Sequence, residues 1–166
     1  LCSPKLRDDL QERFGSDPQD MLNGAMLMDS ARAVCQWDFW LRRNALDVSS
    51  NTKSILLDRS SLALQMAVDS AGVVLESLVV AAKELERGDL VPLTPTLPVL
   101  EFPAYWIVCP ARHMKRRAVA SFVSWISDQA QSHADLTECL IDQHGLHRDV
   151  IEDALEVFGA QSNSTA

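Results

Sequence analysis

The chain has 166 residues, 47% hydrophobic and 23% charged, long enough to bury one core. Its net charge of −8 weighs against sequence-independent nucleic-acid binding by this piece, because duplex affinity rests on Lys and Arg neutralising phosphates. No apolar run approaches the roughly 20 residues of a membrane span, and no basic-plus-apolar leader opens the sequence.

Leu1 to Leu6 reads as the end of a strand followed by a capped helix: the Ser3 hydroxyl can accept from orphan amides, and Pro4 suits the first helical position. Leu6, Leu10 and Phe14 share a face, and Gly15 should stop the helix. Asp17 and Pro18 mark a second cap with a helical turn around Met21 and Leu22, and residues 25–28 are a short buried strand candidate. Residues 31–44 have Val34, Trp37, Trp40 and Leu41 at helical spacing, with Arg42 and Arg43 near the end where cations complement the helix dipole. The tryptophans of such a helix fill core more often than they touch a ligand.

Residues 55–93 organise the rest. The apolar run Ile55-Leu56-Leu57 opens into Asp58-Arg59-Ser60-Ser61, a helix-like segment covers 62–69, and a second apolar run follows Gly72 at Val73-Val74-Leu75. Leu78, Ala81, Ala82 and Leu85 give a second helical pattern ending at Gly88, and Leu90-Val91-Pro92-Leu93 is a third apolar run. Strand, helix, strand, helix, strand with short connections predicts a βαβ unit and a parallel sheet.

The prolines at 95, 98 and 103 predict an extended connection. Residues 104–109 then read as a strand stopped by Pro110. Residues 115–130 form an amphipathic helix with Val119, Phe122, Val123 and Ile126 on one face and a solvated basic start at Lys115-Arg116-Arg117. Beyond it, Leu136, Leu140 and Ile141 give one short helical face, Gly145 breaks it, and Val150, Ile151, Leu155 and Phe158 give another. Residues 161–166 are polar and expected to be disordered. The last helix carries Asp149, Glu152, Asp153 and Glu156, which phosphates would repel, so it is not read as a DNA-reading element.

The strongest site signal is Asp58-Arg59-Ser60-Ser61. A helix amino terminus presents free amides and partial positive charge, and hydroxyls beside a guanidinium suit a small carboxylate or similar polar group. The plain alternative is that Ser60 or Ser61 caps the helix and Arg59 pairs with Asp58. Cys2, Cys35, Cys109 and Cys139 form no CxxC pair and read as buried thiols of a cytoplasmic protein. Glu138, Cys139, Asp142, His144 and His147 match no zinc spacing. There is no G-x-S-x-G elbow, P-loop, dinucleotide fingerprint or HExxH, so neither catalysis, a metal nor a cofactor is expected.

The run from Asp58 to Leu93 resembles the central part of the effector-binding domain of LysR-type transcriptional regulators, in the branch with glycine-cleavage activators and the β-lactamase regulator. That family has a small-hydroxyl helix start, Ala-Ala-x-x-Gly-x-Gly-Val-x-Leu, a helix, and Leu-x-x-Gly-x-Leu-Val. Here Gly72 and Gly88 match, while Ser70 stands at the first glycine. Ser3-Pro4-Lys5-Leu6 and the Trp37, Trp40 and Asn44 pattern are also similar to the family. The resemblance implies a periplasmic-binding-protein-like (type 2) α/β fold, mostly its second subdomain plus the returning helix of the first, in an N-terminally truncated chain. Residues 1–130 would be the partial effector-binding domain and 131–166 a C-terminal helical extension and disordered tail. It implies a small-molecule effector, an anionic one by the receptor chemistry above, bound near Ser3, Asp58, Arg59, Ser60 and Ser61. It further implies a homodimer or homotetramer in the full-length protein, and promoter DNA contacted only through an N-terminal helix-turn-helix. The other readings are a stand-alone solute-binding protein and a small α/β enzyme.

Overall fold

The computed structural model describes residues 1–31 and 33–152. In chain order the elements are helices α1 (Pro4–Phe14) and α2 (Pro18–Gly24), strand β1 (Leu27–Ser30), α3 (Trp37–Arg43), β2 (Ser54–Leu57), α4 (Ser60–Val68), β3 (Val73–Val74) and α5 (Ala82–Arg87). There follow β4 (Val99–Glu101), α6 (Ala111–Met114), α7 (Arg117–His144) and β5 (Arg148–Val150). The first three strands form a parallel sheet in the order β2-β1-β3. Leu1 and Cys2 continue it on the far side of β3: Val74 N donates to Leu1 O at 2.8 Å, and Cys2 pairs antiparallel with Val91.

Side-chain alternation along β1 and β3 sorts the interior into two layers. Leu27 and Val73 face one cluster with Leu10, Leu22, Trp37 and Trp40, whereas Met28 and Val74 face another with Leu64, Ala67, Leu85, Leu90 and Leu140. Successive strand residues point to opposite faces, so a stretch covered on both sides needs apolar residues in succession, as Leu27-Met28 and Val73-Val74 supply.

The start of α1 is as the sequence predicts. Ser3 Oγ accepts from Leu6 N at 3.2 Å with Pro4 at the first helical position. The helix turn after α4 bends at Ser70, whose φ of 65° is left-handed. A residue with a Cβ is strained there. Ser70 Oγ meets Ser3 Oγ at 2.8 Å, a hydrogen bond that a glycine at this place could not make. Gly72 solves a different problem: a Cβ built on it would sit 2.4 Å from Met26 O, because β3 enters the sheet hard against the chain leading into β1.

Several predicted elements differ. Residues 31 and 33–36 are not helical; α3 starts at Trp37, whose amide donates to Asp29 Oδ1 at 3.1 Å, so a side chain from β1 takes the place of a local cap. Residues 90–93 contribute only the Val91 bridge. The connection carrying the prolines contains β4, paired in parallel with β5. Val150, expected in a helix, is therefore in a strand, and Leu155 and Phe158 lie outside the described residues, as does the polar tail 161–166. Residues 104–109 are not a strand: Tyr105, Trp106, Ile107 and Val108 are exposed, and β propensity without a neighbouring strand forms no ladder. The helix expected over 115–130 and the face at 136–141 are one helix, α7, which crosses residue 130 without a break because nothing from 117 to 144 is Gly or Pro.

The first half of α7 leaves Phe122 and Trp125 more than half exposed, with Val119, Val123 and Ile126 partly covered, whereas Leu140 and Ile141 near its end are buried. The segment after α7 is fastened across the molecule: Arg43 donates to both carboxylate oxygens of Asp149, to Oδ1 at 2.7 Å, and Arg148 pairs with Glu101 at 3.1 Å and with Glu138. The hydrogen bonds from Arg43 hold the Asp149 carboxyl below the ordinary carboxylate range, against a smaller opposing effect of desolvation. A depressed folded-state pKa contributes stability above the ordinary range and loses it as pH falls through the lowered value. Exchange protection of the β5 amides is therefore expected to fall below about pH 4. In Arg43→Ala it should already be low at neutral pH, which hydrogen exchange at two pH values checks.

Candidate functional site

Ligands of open α/β sheets collect outside the carboxyl ends of the strands, where neighbouring connections diverge. In this sheet β1 leads to β2 on one side while β3 lies on the other. A cavity of about 620 Å³ opens at that place. One wall is residues 33–35 after β1, Ser60 at the start of α4 and residues 75–80 after β3; the other is 97–102, 104 and 105, with α7 and Arg148. Trp37 and Trp40 meet edge to face, centroids 5.5 Å apart, and form an apolar part of the wall while belonging to the core.

The candidate residues separate. Ser60 lines the cavity, and its Oγ lies 3.1 Å from Oγ of Ser30, a fully buried side chain at the end of β1. Ser60 is the first residue of α4, and neither it nor Arg59 caps the helix by a side-chain bond. Asp58, Arg59 and Ser61 lie together on an open shallow surface with Leu62 and Gln65. Arg59 is 77% and Asp58 81% exposed, paired at 3.7 Å. Ser3 is buried, bonded to Leu6 N and Ser70, and does not line the cavity.

Residues outside the sequence candidates shape the site. Asp29, at the edge of the Trp37 turn, is pushed above its usual range by burial, partly opposed by the Trp37 amide. Burial, with Asp29 nearby, pushes the Cys35 thiol up to about 12. Cys35 is therefore a protonated, apolar wall residue at neutral pH rather than a nucleophile or thiolate ligand. Glu76 and Arg148 supply charge at opposite walls. Among the described residues, no group of three or more His, Cys, Asp and Glu side chains is placed to hold a metal, and no helix is long and apolar enough to cross a membrane.

A parallel sheet with helices packed on both faces and a largely apolar cavity at the carboxyl ends of its strands fits an α/β domain of the periplasmic-binding-protein-like type. Residues 4–131 match the family described as the LysR substrate binding domain, and the chain belongs to that family. It is 31% identical over 130 residues to the HTH-type transcriptional regulator PerR of Escherichia coli strain K12, covering 78% of this chain and 41% of that protein. It is 30% identical to the uncharacterized HTH-type transcriptional regulator y4mQ of Sinorhizobium fredii (79% and 42% of the two chains). It is also 27% identical to the glycine cleavage system transcriptional activator of E. coli K12 (81% and 43%). The chain thus spans about two fifths of the length of these relatives. No solved structure matches it significantly.

Proposed function

We propose that this domain is the effector-sensing part of a LysR-type DNA-binding transcriptional regulator, holding a small molecule in the cavity at the carboxyl edge of its sheet. The observation that carries the proposal is the position of Ser60: one hydroxyl, backed by buried Ser30, at the amino end of α4 and inside an otherwise mostly apolar cavity. An anionic or hydrogen-bond-accepting group of the effector would be received there, where the helix dipole favours negative charge. Asp58, Arg59 and Ser61, on the outer side of the same helix start, would act at the rim. The full-length protein would be a cytoplasmic homodimer or homotetramer that reaches promoter DNA through a helix-turn-helix outside this chain, consistent with the acidity of the piece described here.

The test is calorimetric titration of the full-length regulator with its inducer. Arg59→Ala with Ser60→Ala is expected to weaken binding about five- to tenfold without unfolding the protein, the magnitude of one or two partly exposed polar contacts. Ser60→Ala alone should account for most of the loss. Unchanged affinity in a folded double variant would return these residues to a purely local role at the helix start.

A further inference from the structure

Among the described residues, the charged side chains around the cavity are three carboxylates and one guanidinium: Glu76, Glu101, Glu138 and Arg148. Arg148 is already engaged by both Glu101 and Glu138, so two of the carboxylates have a cation, and among the described residues Glu76 has none. Glu76 stands two residues beyond β3, on the wall that also carries Leu75, Leu78 and Val79. Its Oε1 accepts from the following amide, Ser77 N, at 2.9 Å. Its Oε2 is buried, and no donor among the described residues reaches it.

A buried carboxylate oxygen without a donor is costly, and the cost falls when a donor arrives. A net negative wall around a low-dielectric space also favours a positive guest. From this juxtaposition we infer that Glu76 is a recognition residue for a nitrogen donor on the ligand: an ammonium or similar N–H-bearing cation carried on an apolar body that fills the space beside Trp37 and Trp40. The inference rests on the cavity being the effector site proposed above, and names the chemistry of the ligand end away from Ser60. Because Oε2 is buried, binding requires this carboxylate to turn toward the guest.

Three probes with one apolar body separate the possibilities: 4-phenylbutylamine, 4-phenylbutanol and 4-phenylbutyrate, titrated calorimetrically against the 166-residue chain. The amine is expected to bind more tightly than the alcohol, and Glu76→Gln, which keeps the shape and removes the charge, should weaken the amine about tenfold while leaving the alcohol unchanged. Unchanged alcohol binding also shows that the variant is folded. If Glu76→Gln weakens amine and alcohol alike, or neither, the role of Glu76 is overturned while the cavity as effector site stands. If none of the three binds, both are overturned.

Discussion

Trp37→Ala is expected to destabilise the domain by about 4 kcal/mol, the middle of the range for removing a buried tryptophan. Trp37 is 5% exposed, stacks edge to face on Trp40, and donates from Nε1 to the Met28 carbonyl at 3.1 Å. Truncation empties volume beside β1 and removes the shorter of the two hydrogen bonds that this carbonyl accepts, leaving only the one from Leu75 N at 3.4 Å. Trp37→Phe separates the two effects: most of the apolar area remains, and the loss should fall to about 1–2 kcal/mol for the lost indole hydrogen bond and imperfect fit. Urea unfolding followed by circular dichroism measures both. A cost below about 1 kcal/mol for Trp37→Ala would mean that the tryptophan pair is peripheral, and that the cavity wall it forms is not fixed by the core.

Gly72→Ala should cost about 3 kcal/mol, more than an ordinary glycine-to-alanine change, which at a compatible position is neutral or stabilising. The added Cβ would stand 2.4 Å from Met26 O and 3.1 Å from Met26 Cβ, and the first of these is backbone leading into the central strand. Relief requires β3 and the loop after it to move away from β1. Since that loop carries residues 75–80, ligand affinity should fall together with stability. Gly88→Ala is the contrasting case: nothing lies within 4 Å of its Cβ position, so its cost comes from the left-handed φ of 74° alone, about 1 kcal/mol. Equal losses at the two glycines would remove the steric explanation for Gly72.

The parallel unit was legible because its signals are local. Apolar runs at 55–57 and 73–75, with a short helix between them, require a crossover in one sheet, and Ser3-Pro4 announces a helix start by itself. The site was only half legible. Asp58, Arg59, Ser60 and Ser61 are contiguous, but successive helix residues point about 100° apart, so one short run cannot present all its side chains to one cavity. Only Ser60 faces inward, and its partner Ser30 comes from a different strand, a pairing that depends on sheet register. Glu76 gave no signal, since its surroundings are set by the loop after β3. Residues 104–109 show the converse limit: a strand-forming composition specifies a strand only where another strand lies alongside. The boundary at residue 130 was placed where the family resemblance ends; no helix breaker stands there, and α7 continues through it.

The most direct test of the account is hydrogen exchange on the 166-residue chain with and without a compound selected by thermal-shift screening of amines, amino acids and carboxylates. Binding in the cavity predicts new protection in the 33–37 turn, at the start of α4 and across 75–80, with little change along the exposed face of α7 around Phe122 and Trp125. Protection confined to that face of α7, with the strand ends unchanged, would contradict the placement of the effector site at the carboxyl edge of the sheet.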